Sequence, residues 1–151
     1  MNNNFQRINS VSNAHVGKDF EDIVENVFNN IGIIVRKGIS INIGHLIKKP
    51  HRFDLGNVCD NNKIVIECKS HTWTSGNNVP SAKLTVWNEA MYYFTLTPSE
   101  FRKVLVVKKD YSIKRSETLA QYYIRTYEHL IPDNVEIYEI AEETLDIIKL
   151  K

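Results

Sequence analysis

A chain of 151 residues, 42% hydrophobic and 25% charged, has the size and composition of one ordinary globular domain. No apolar run approaches the roughly 20 residues that span a bilayer, and the first residues lack a signal-peptide pattern, so we expect no membrane contact and a cytoplasmic location. Two cysteines and no CxxC pair exclude a disulfide framework and a cysteine zinc site, and a net charge of +1 gives no overall polyanion-binding signature.

The first half of the chain predicts a helix followed by three strands. Residues 1–15 are rich in Asn and Ser and are expected to form a loose lead-in to a single domain over residues 16–151. Apolar residues at helical spacing then predict a helix from about Val16 to Gly32. Strands follow at 33–44, 51–60 and 63–70, separated by a loop over 45–50 and a turn at 61–62.

The second half alternates helices and strands. A polar loop over 71–82 precedes a helix at 83–96, a buried strand at 101–110 and a helix that a Ser116–Glu117 capping signal opens and Pro132 ends. A strand at 134–140 and a short terminal helix at 141–151 complete the chain. Three consecutive strands favour an antiparallel meander, and the later β-α-β unit favours a parallel pair. We therefore expect an α/β fold with a mixed sheet and helices packed on it.

Three charged residues interrupt the second and third strands. Side chains alternate along a strand, so Glu67 and Lys69 share one face of the third strand. A hairpin turn near Asn61 brings Asp54 beside Glu67, with one residue of slack or a bulge. Two close carboxylates repel unless a cation lies between them. A Mg²⁺ ion with a neighbouring lysine suits phosphodiester hydrolysis, whereas the ordinary alternative is a solvated Glu–Lys pair on an exposed strand.

The motif "FD" at 53–54 and "ECK" at 67–69, with the element order around it, resembles the PD-(D/E)xK nuclease superfamily over residues 16–140. The resemblance implies a restriction endonuclease-like core, α-β-β-β-α-β, with an additional helix and strand and helices on both sheet faces. It implies that Asp54, Glu67 and the Cys68 backbone carbonyl bind Mg²⁺, or Mn²⁺ as a substitute, and that Lys69 assists the attacking water or the transition state. Phe53 stands where the motif has proline.

The same resemblance implies a further acid from the first helix. Glu21 and Glu25 are one helical turn apart and share a face. We expect Glu21 to be the auxiliary catalytic and metal-binding acid, with Glu25 as the alternative. Both residues could equally be solvated.

Several other residues are candidates for contacts with nucleic acid. Residues 36–83 carry eight Lys or Arg against three Asp or Glu, so this segment could face a phosphate backbone. The candidates are Arg52, His71, Trp73 and Lys83. Each has a structural alternative: Arg52 and the preceding His51 could simply enter a strand, Trp73 could cap the core, and Lys83 could begin a helix.

Together these features predict a Mg²⁺-dependent DNA endonuclease, with a small restriction-type enzyme as one form of it. A junction resolvase, a repair nickase and a catalytically silent nucleic-acid-binding module are the alternatives, and RNA remains open as a substrate because phosphate-directed chemistry does not read the sugar. Cleavage of both strands of a duplex needs two active sites. We therefore expect a homodimer or a partner nuclease or recognition subunit.

Overall fold

The computed structural model describes the backbone of residues 5–151 and the side chains of residues 17–151. Its helices in that range are α1 (Phe5–Asn30), α2 (Ser81–Leu96) and α3 (Leu119–Tyr127), and a short 3-10 turn, Glu128–Leu130, follows α3. Its strands are β1 (Arg36–Ile43), β2 (Lys49–Asn57), β3 (Ile64–Lys69), β4 (Arg102–Lys108), β5 (Tyr111–Ser112), β6 (Glu117–Thr118), β7 (Val135–Ile140) and β8 (Ile147–Lys149).

Six strands form one mixed sheet in the order β1-β2-β3-β4-β7-β8. The first three strands are an antiparallel meander, and β3, β4 and β7 are parallel because α2 and α3 return the chain to the same end of the sheet. The predicted α/β class, the meander and the parallel crossover are confirmed. None of the helices formed by the described residues has the length and apolar content that crossing a bilayer requires.

The sheet is covered on both faces, and each face has its own core. Alternation along β3 divides the two: Ile64 and Ile66 pack against apolar residues of α1, and Val65 packs against α2 and α3. The α1 core includes Phe20, Val24 and Phe28, whereas the opposite core is rich in aromatic residues, including Trp87, Phe94 and Tyr123. The strands between them are buried on both faces, so β4 is an apolar run, as the sequence predicts.

The C-terminal segment is a strand, and the predicted helix over 141–151 is wrong. The backbone turns tightly after β7: the Leu145 N–H donates to the Ala141 carbonyl, and Leu145 has a φ of 61°. Strand β8 then pairs antiparallel with β7, with Ile147 opposite Ile140. This pairing covers the exposed edge of β7, which a terminal helix would leave without hydrogen-bond partners.

Two predicted element starts are also wrong. Helix α1 begins at Phe5 instead of near Val16, since no Gly or Pro interrupts residues 5–16; the rest of the predicted lead-in, residues 1–4, lies outside the described residues. Helix α3 is capped by Thr118 in a capping box with Gln121, and not by Ser116. Ser116 has a φ of 56° in the turn between β5 and β6, so it cannot serve as the cap.

Candidate active site

The ladder between β2 and β3 stops at the point where the candidate residues lie. Leu55 pairs with Ile66 and Asn57 with Ile64, and the same register continued by one residue sets Asp54 opposite Glu67. No bulge is needed, because the turn is centred between Asp60 and Asn61. Beyond Leu55 the ladder pairing ends, and the Cys68 backbone N–H donates to Asp54 Oδ2 at 2.7 Å.

A distortion in the neighbouring strand accompanies this opening. Gly38 of β1 has a φ of 68°, and the paired residues on either side of it are Lys37–Leu55 and Ile39–Phe53. Phe53 packs in the α2 core although Leu55, two residues on, packs in the α1 core. The face of β2 therefore changes at Asp54, and its side chain lines clefts on both sides of the sheet.

Glu67 and Lys69 lie together on the α2 face of β3. Lys69 Nζ donates to Glu67 Oε2 at 2.8 Å, and Glu67 is only 7% exposed. Burial raises the pKa of Glu67 and Asp54 raises it further, although Lys69 opposes both effects. Burial disfavours the charged form of Lys69, but the Glu67 carboxylate outweighs this and raises the pKa of Lys69. The ammonium group is therefore protonated at neutral pH.

Glu21 approaches from α1 on the other side of Asp54. The two residues line one cleft of about 440 Å³, and Glu25 is not among the residues that line it. Partial burial raises the pKa of Glu21, and the Asp54 charge raises it further while Lys37 opposes the rise. Lys37 is itself paired with Asp22. Of the two helical acids considered, Glu21 is the one that the fold brings to Asp54.

Cys68 lies among these carboxylates. Burial raises the pKa of the Cys68 thiol well above its usual range, and the charges of Asp54, Glu21 and Glu67 add to the rise. The thiol is therefore protonated and unreactive. Three acids thus converge from α1, β2 and β3 with one lysine among them. We call Glu21, Asp54, Glu67 and Lys69 the acidic cluster.

The acidic cluster fits a hard divalent cation by its chemistry, but its ligands are not preassembled. Carboxylate oxygens are the ligands that Mg²⁺ prefers, and burial above all, with the charge of Asp54, raises the pKa values of Glu21 and Glu67. Among residues 17–151, however, no group of three or more His, Cys, Asp or Glu side chains is arranged so that it could hold a metal ion. One oxygen of Glu67 is bonded to Lys69.

His51 is a neighbour of the cluster that the sequence prediction left as a strand-entry residue. Its ring stacks on Tyr93 of α2 at 3.9 Å between centroids and meets Phe53 edge-on at 4.6 Å. Its Nε2 is buried without a hydrogen-bond partner and lies 3.6 Å from Glu67 Oε1. Tyr93 is distant in sequence, so only the packing of α2 on the sheet reveals this position.

The four predicted nucleic-acid contacts separate into two places. Arg52 lines both clefts beside Asp54, and its guanidinium lies against Gly38 where a Cβ would overlap it. His71, Trp73 and Lys83 line a different cleft at the end of β3. Trp73 is only 6% exposed, its backbone and ring N–H groups donate to Asp110, and Arg115 covers its ring at 4.9 Å. Its ring is therefore part of the core and is not free to stack on a base.

Comparison with known proteins finds no family model, no curated protein and no solved structure that matches this chain.

Proposed function

We propose that the chain is a metal-dependent endonuclease that hydrolyses DNA phosphodiester bonds. The observation that carries this proposal is the convergence of three carboxylates and a lysine at the open end of the β2–β3 ladder. Carboxylates held together against their mutual repulsion favour a site for an external cation. The element order α1-β1-β2-β3-α2-β4 is also the order expected of a PD-(D/E)xK core.

Asp54 and Glu67 would hold a Mg²⁺ ion, or Mn²⁺ in its place, with the Cys68 backbone carbonyl as a further ligand and Glu21 as an auxiliary acid. A bound cation of this kind lowers the pKa of water and withdraws charge from a phosphate. Lys69 is bonded to Oε2 of Glu67 alone, so Oε1 would be the oxygen that Glu67 offers to the cation.

Lys69 would stabilise negative charge and would not act as a base. Its raised pKa keeps the ammonium group protonated at neutral pH, so the group can donate to a phosphate oxygen on which charge accumulates. Its bond to Glu67 positions it beside the cation ligands. Arg52, at the rim of the same clefts, would contact the phosphate backbone.

A small restriction-type enzyme is our preferred assignment, with a junction resolvase or a repair nickase as the alternative of the same chemistry. Each chain carries a single acidic cluster in its described residues, so cleavage of both strands of a duplex calls for a homodimer or a partner subunit. The lack of a preassembled metal-binding group favours a second candidate, a catalytically silent nucleic-acid-binding module.

A cleavage panel tests the proposal and separates these candidates. The purified protein is incubated with supercoiled, linear and branched DNA and with RNA, in Mg²⁺, Mn²⁺ or EDTA. Cleavage is expected only with a divalent cation, and Asp54→Asn should reduce its rate at least about a hundredfold. Asp60→Asn is the matched control, because Asp60 is an exposed acid at the tip of the same hairpin.

Cleavage that persists in EDTA, or that Asp54→Asn leaves unchanged, would contradict the proposal. Binding of DNA or RNA without cleavage under any of these conditions would favour the silent module instead.

A further inference from the structure

The cleft at the end of β3 is separate from the two clefts beside Asp54 and plays no part in the chemistry proposed above. It has a volume of about 530 Å³ and opens at the carboxyl ends of the parallel strands β3 and β4, beside the first turn of α2. Ser70, which directly follows Lys69, lines its wall. In sheets with parallel strands this edge is the usual place for a ligand. The cleft is therefore well positioned for a part of the substrate adjacent to the reacting bond.

The charged and polar groups of this cleft suit an anion. Lys83 and Lys108 line it together with hydroxyl groups, and no carboxylate is among the described residues that form its wall. Lys108 is already paired with Glu142 at 2.6 Å, whereas Lys83 is exposed and has no ion pair within the described residues. Ammonium and hydroxyl donors are the groups that bind phosphate oxygens, and for Lys83 no acid of the described residues competes with such a ligand.

His71 adds a donor whose orientation is fixed by the core. The indole N–H of Trp87 can only donate, and it lies 2.8 Å from His71 Nδ1. Nδ1 must therefore accept, and the neutral imidazole carries its proton on Nε2. Burial, with the charges of Lys83 and Lys69, lowers the pKa of His71 to about 4, so the ring is neutral at pH 7. Nε2 makes no hydrogen bond within the described residues.

Trp87 is in turn held rigidly. It is fully buried, and its ring meets Tyr123 at 5.0 Å between centroids, while the Tyr123 hydroxyl donates to Asn88 Oδ1 at 2.9 Å. The aromatic core between α2 and α3 thereby fixes both the tautomer and the angle of His71. A donor fixed in this way loses little conformational entropy when it binds a ligand.

We propose that this cleft binds a phosphate group of the nucleic-acid strand, next to the phosphodiester that is hydrolysed at the acidic cluster. His71 is a neutral hydrogen-bond donor to this phosphate, and Lys83 is the cation. The assignment rests on the proposed nuclease function for its choice of substrate. A neutral donor contributes direction to phosphate recognition, and the lysine contributes charge. The two residues should therefore differ in the salt dependence of their contributions.

Paired variants of His71 test the role of Nε2. His71→Asn keeps an acceptor near the position of Nδ1 and loses the donor, whereas His71→Gln places an amide N–H near the position of Nε2. Binding of a fluorescent oligonucleotide, single-stranded and duplex, is measured by anisotropy in EDTA so that cleavage does not interfere. We expect His71→Asn to weaken binding about tenfold and His71→Gln to restore most of it.

Lys83→Ala should weaken oligonucleotide binding, and the loss of affinity should be smaller at high salt. The loss of affinity in His71→Asn should change little with salt. His129→Ala, which removes an exposed histidine from the turn after α3, is the control and should bind like the wild type. Thermal unfolding of each variant separates loss of binding from loss of the fold.

Imidazole ¹⁵N spectra give a readout that does not depend on cleavage. Without ligand they should show His71 protonated on Nε2 alone. Titration with inorganic phosphate, a mononucleotide and the oligonucleotide should shift Nε2, most strongly with the oligonucleotide if the phosphate belongs to a strand. A shift with free phosphate alone would overturn the assignment to a strand, and an unchanged Nε2 resonance, or His71→Asn binding like the wild type, would overturn the site.

The two proposals fail in distinguishable ways. If the nuclease proposal fails, DNA bound through His71 stays intact in Mg²⁺. If the cleft proposal fails, cleavage still depends on Asp54 while the His71 variants bind as tightly as the wild type.

Discussion

The sheet carries two clusters of charged side chains in which the pKa values of the glutamates are shifted in opposite directions. In the acidic cluster, burial and neighbouring acids raise the pKa of Glu67 and of Glu21. Across β4, β7 and β8, hydrogen bonds from Arg102 above all lower the pKa of Glu136 to about 2. We call Arg102, Glu136, Tyr138 and Lys149 the paired cluster.

The difference lies in burial and in the hydrogen-bond partners of each carboxyl group, and not in the kind of residue. Glu136 accepts from Arg102 and Tyr138 and pairs with Lys149 at 3.0 Å, so one acid is satisfied by two cations of its own chain. In the acidic cluster, burial is the largest cause of the raised pKa values of Glu21 and Glu67; the charge of Asp54 adds to it, and neighbouring lysines oppose it. A carboxylate that has hydrogen-bond and cation partners within the fold stabilises the sheet. Buried carboxyl groups with too few such partners cost folding free energy and are typical of a site that a ligand completes.

Removing the one cation of the acidic cluster should have the largest effect on stability. Lys69→Met leaves Glu67 buried beside Asp54 without its hydrogen-bond partner, and we expect a loss of about 2 kcal/mol in the free energy of unfolding at pH 8. The pKa of Glu67 would rise further without Lys69, so the loss should shrink as the pH falls and the carboxyl takes up a proton. Denaturant unfolding at pH 8 and pH 5 measures both effects.

The double variant Glu67→Gln/Lys69→Met is the control for this change. It removes the buried carboxylate together with its partner, so it should recover most of the stability lost in Lys69→Met. A single and a double variant of equal stability would mean that Lys69 acts through packing and not through Glu67.

Glu136→Gln should have a smaller effect, and this loss should also shrink as the pH falls, but over a more acidic range. It removes charge-assisted hydrogen bonds at a partly exposed position, which suggests a loss of about 1 kcal/mol at neutral pH. Because the pKa of Glu136 is depressed to about 2, its contribution is present above the ordinary value of about 4.5 and is lost as the pH falls toward about 2. The wild type and Glu136→Gln should therefore converge in stability in acid, and a constant difference would contradict the assignment.

Local patterns were sufficient to place Asp54, Glu67 and Lys69 together, whereas Glu21 was implied only by the family resemblance and the surroundings of the cluster were not predicted. Alternation set Glu67 beside Lys69, and hairpin register set Asp54 opposite Glu67. The capping box of α3 also has a signal in the sequence, since Thr118 and Gln121 have the required spacing, but Ser116 and Glu117 offer a competing signal two residues earlier. Strand β8 was not visible, because its conformation depends on the open edge of β7.

His51 illustrates the same limit. Its buried Nε2 next to Glu67 follows from stacking on Tyr93, a contact between α2 and β2 that no short-range pattern encodes. The positive φ of Gly38 likewise accompanies the change of face at Asp54, which is a feature of the paired strands β1 and β2 and not of either strand's sequence alone.

Glu21→Gln should have the smallest effect of these variants and should raise stability slightly. The pKa of Glu21 is raised by burial and by Asp54, so its contribution to stability is present below the ordinary value of about 4.5 and is lost as the pH rises through the raised value. Above that window we expect Glu21→Gln to gain a few tenths of a kcal/mol, because water screens this partly exposed side chain. Glu25→Gln, one turn later and outside the cleft, should change little.

The variants Glu21→Gln and Glu25→Gln also test whether Glu21 takes part in cation binding. Mg²⁺ or Mn²⁺ that binds only the folded state raises the melting temperature of the wild type, and the rise should be smaller in Glu21→Gln and unchanged in Glu25→Gln. Glu136→Gln should retain the full rise, since its carboxylate is already satisfied by Arg102. If the cation stabilised Glu21→Gln as strongly as the wild type, Glu21 would be an unfavourable acid without a part in cation binding. The acidic cluster would then reduce to Asp54, Glu67 and Lys69.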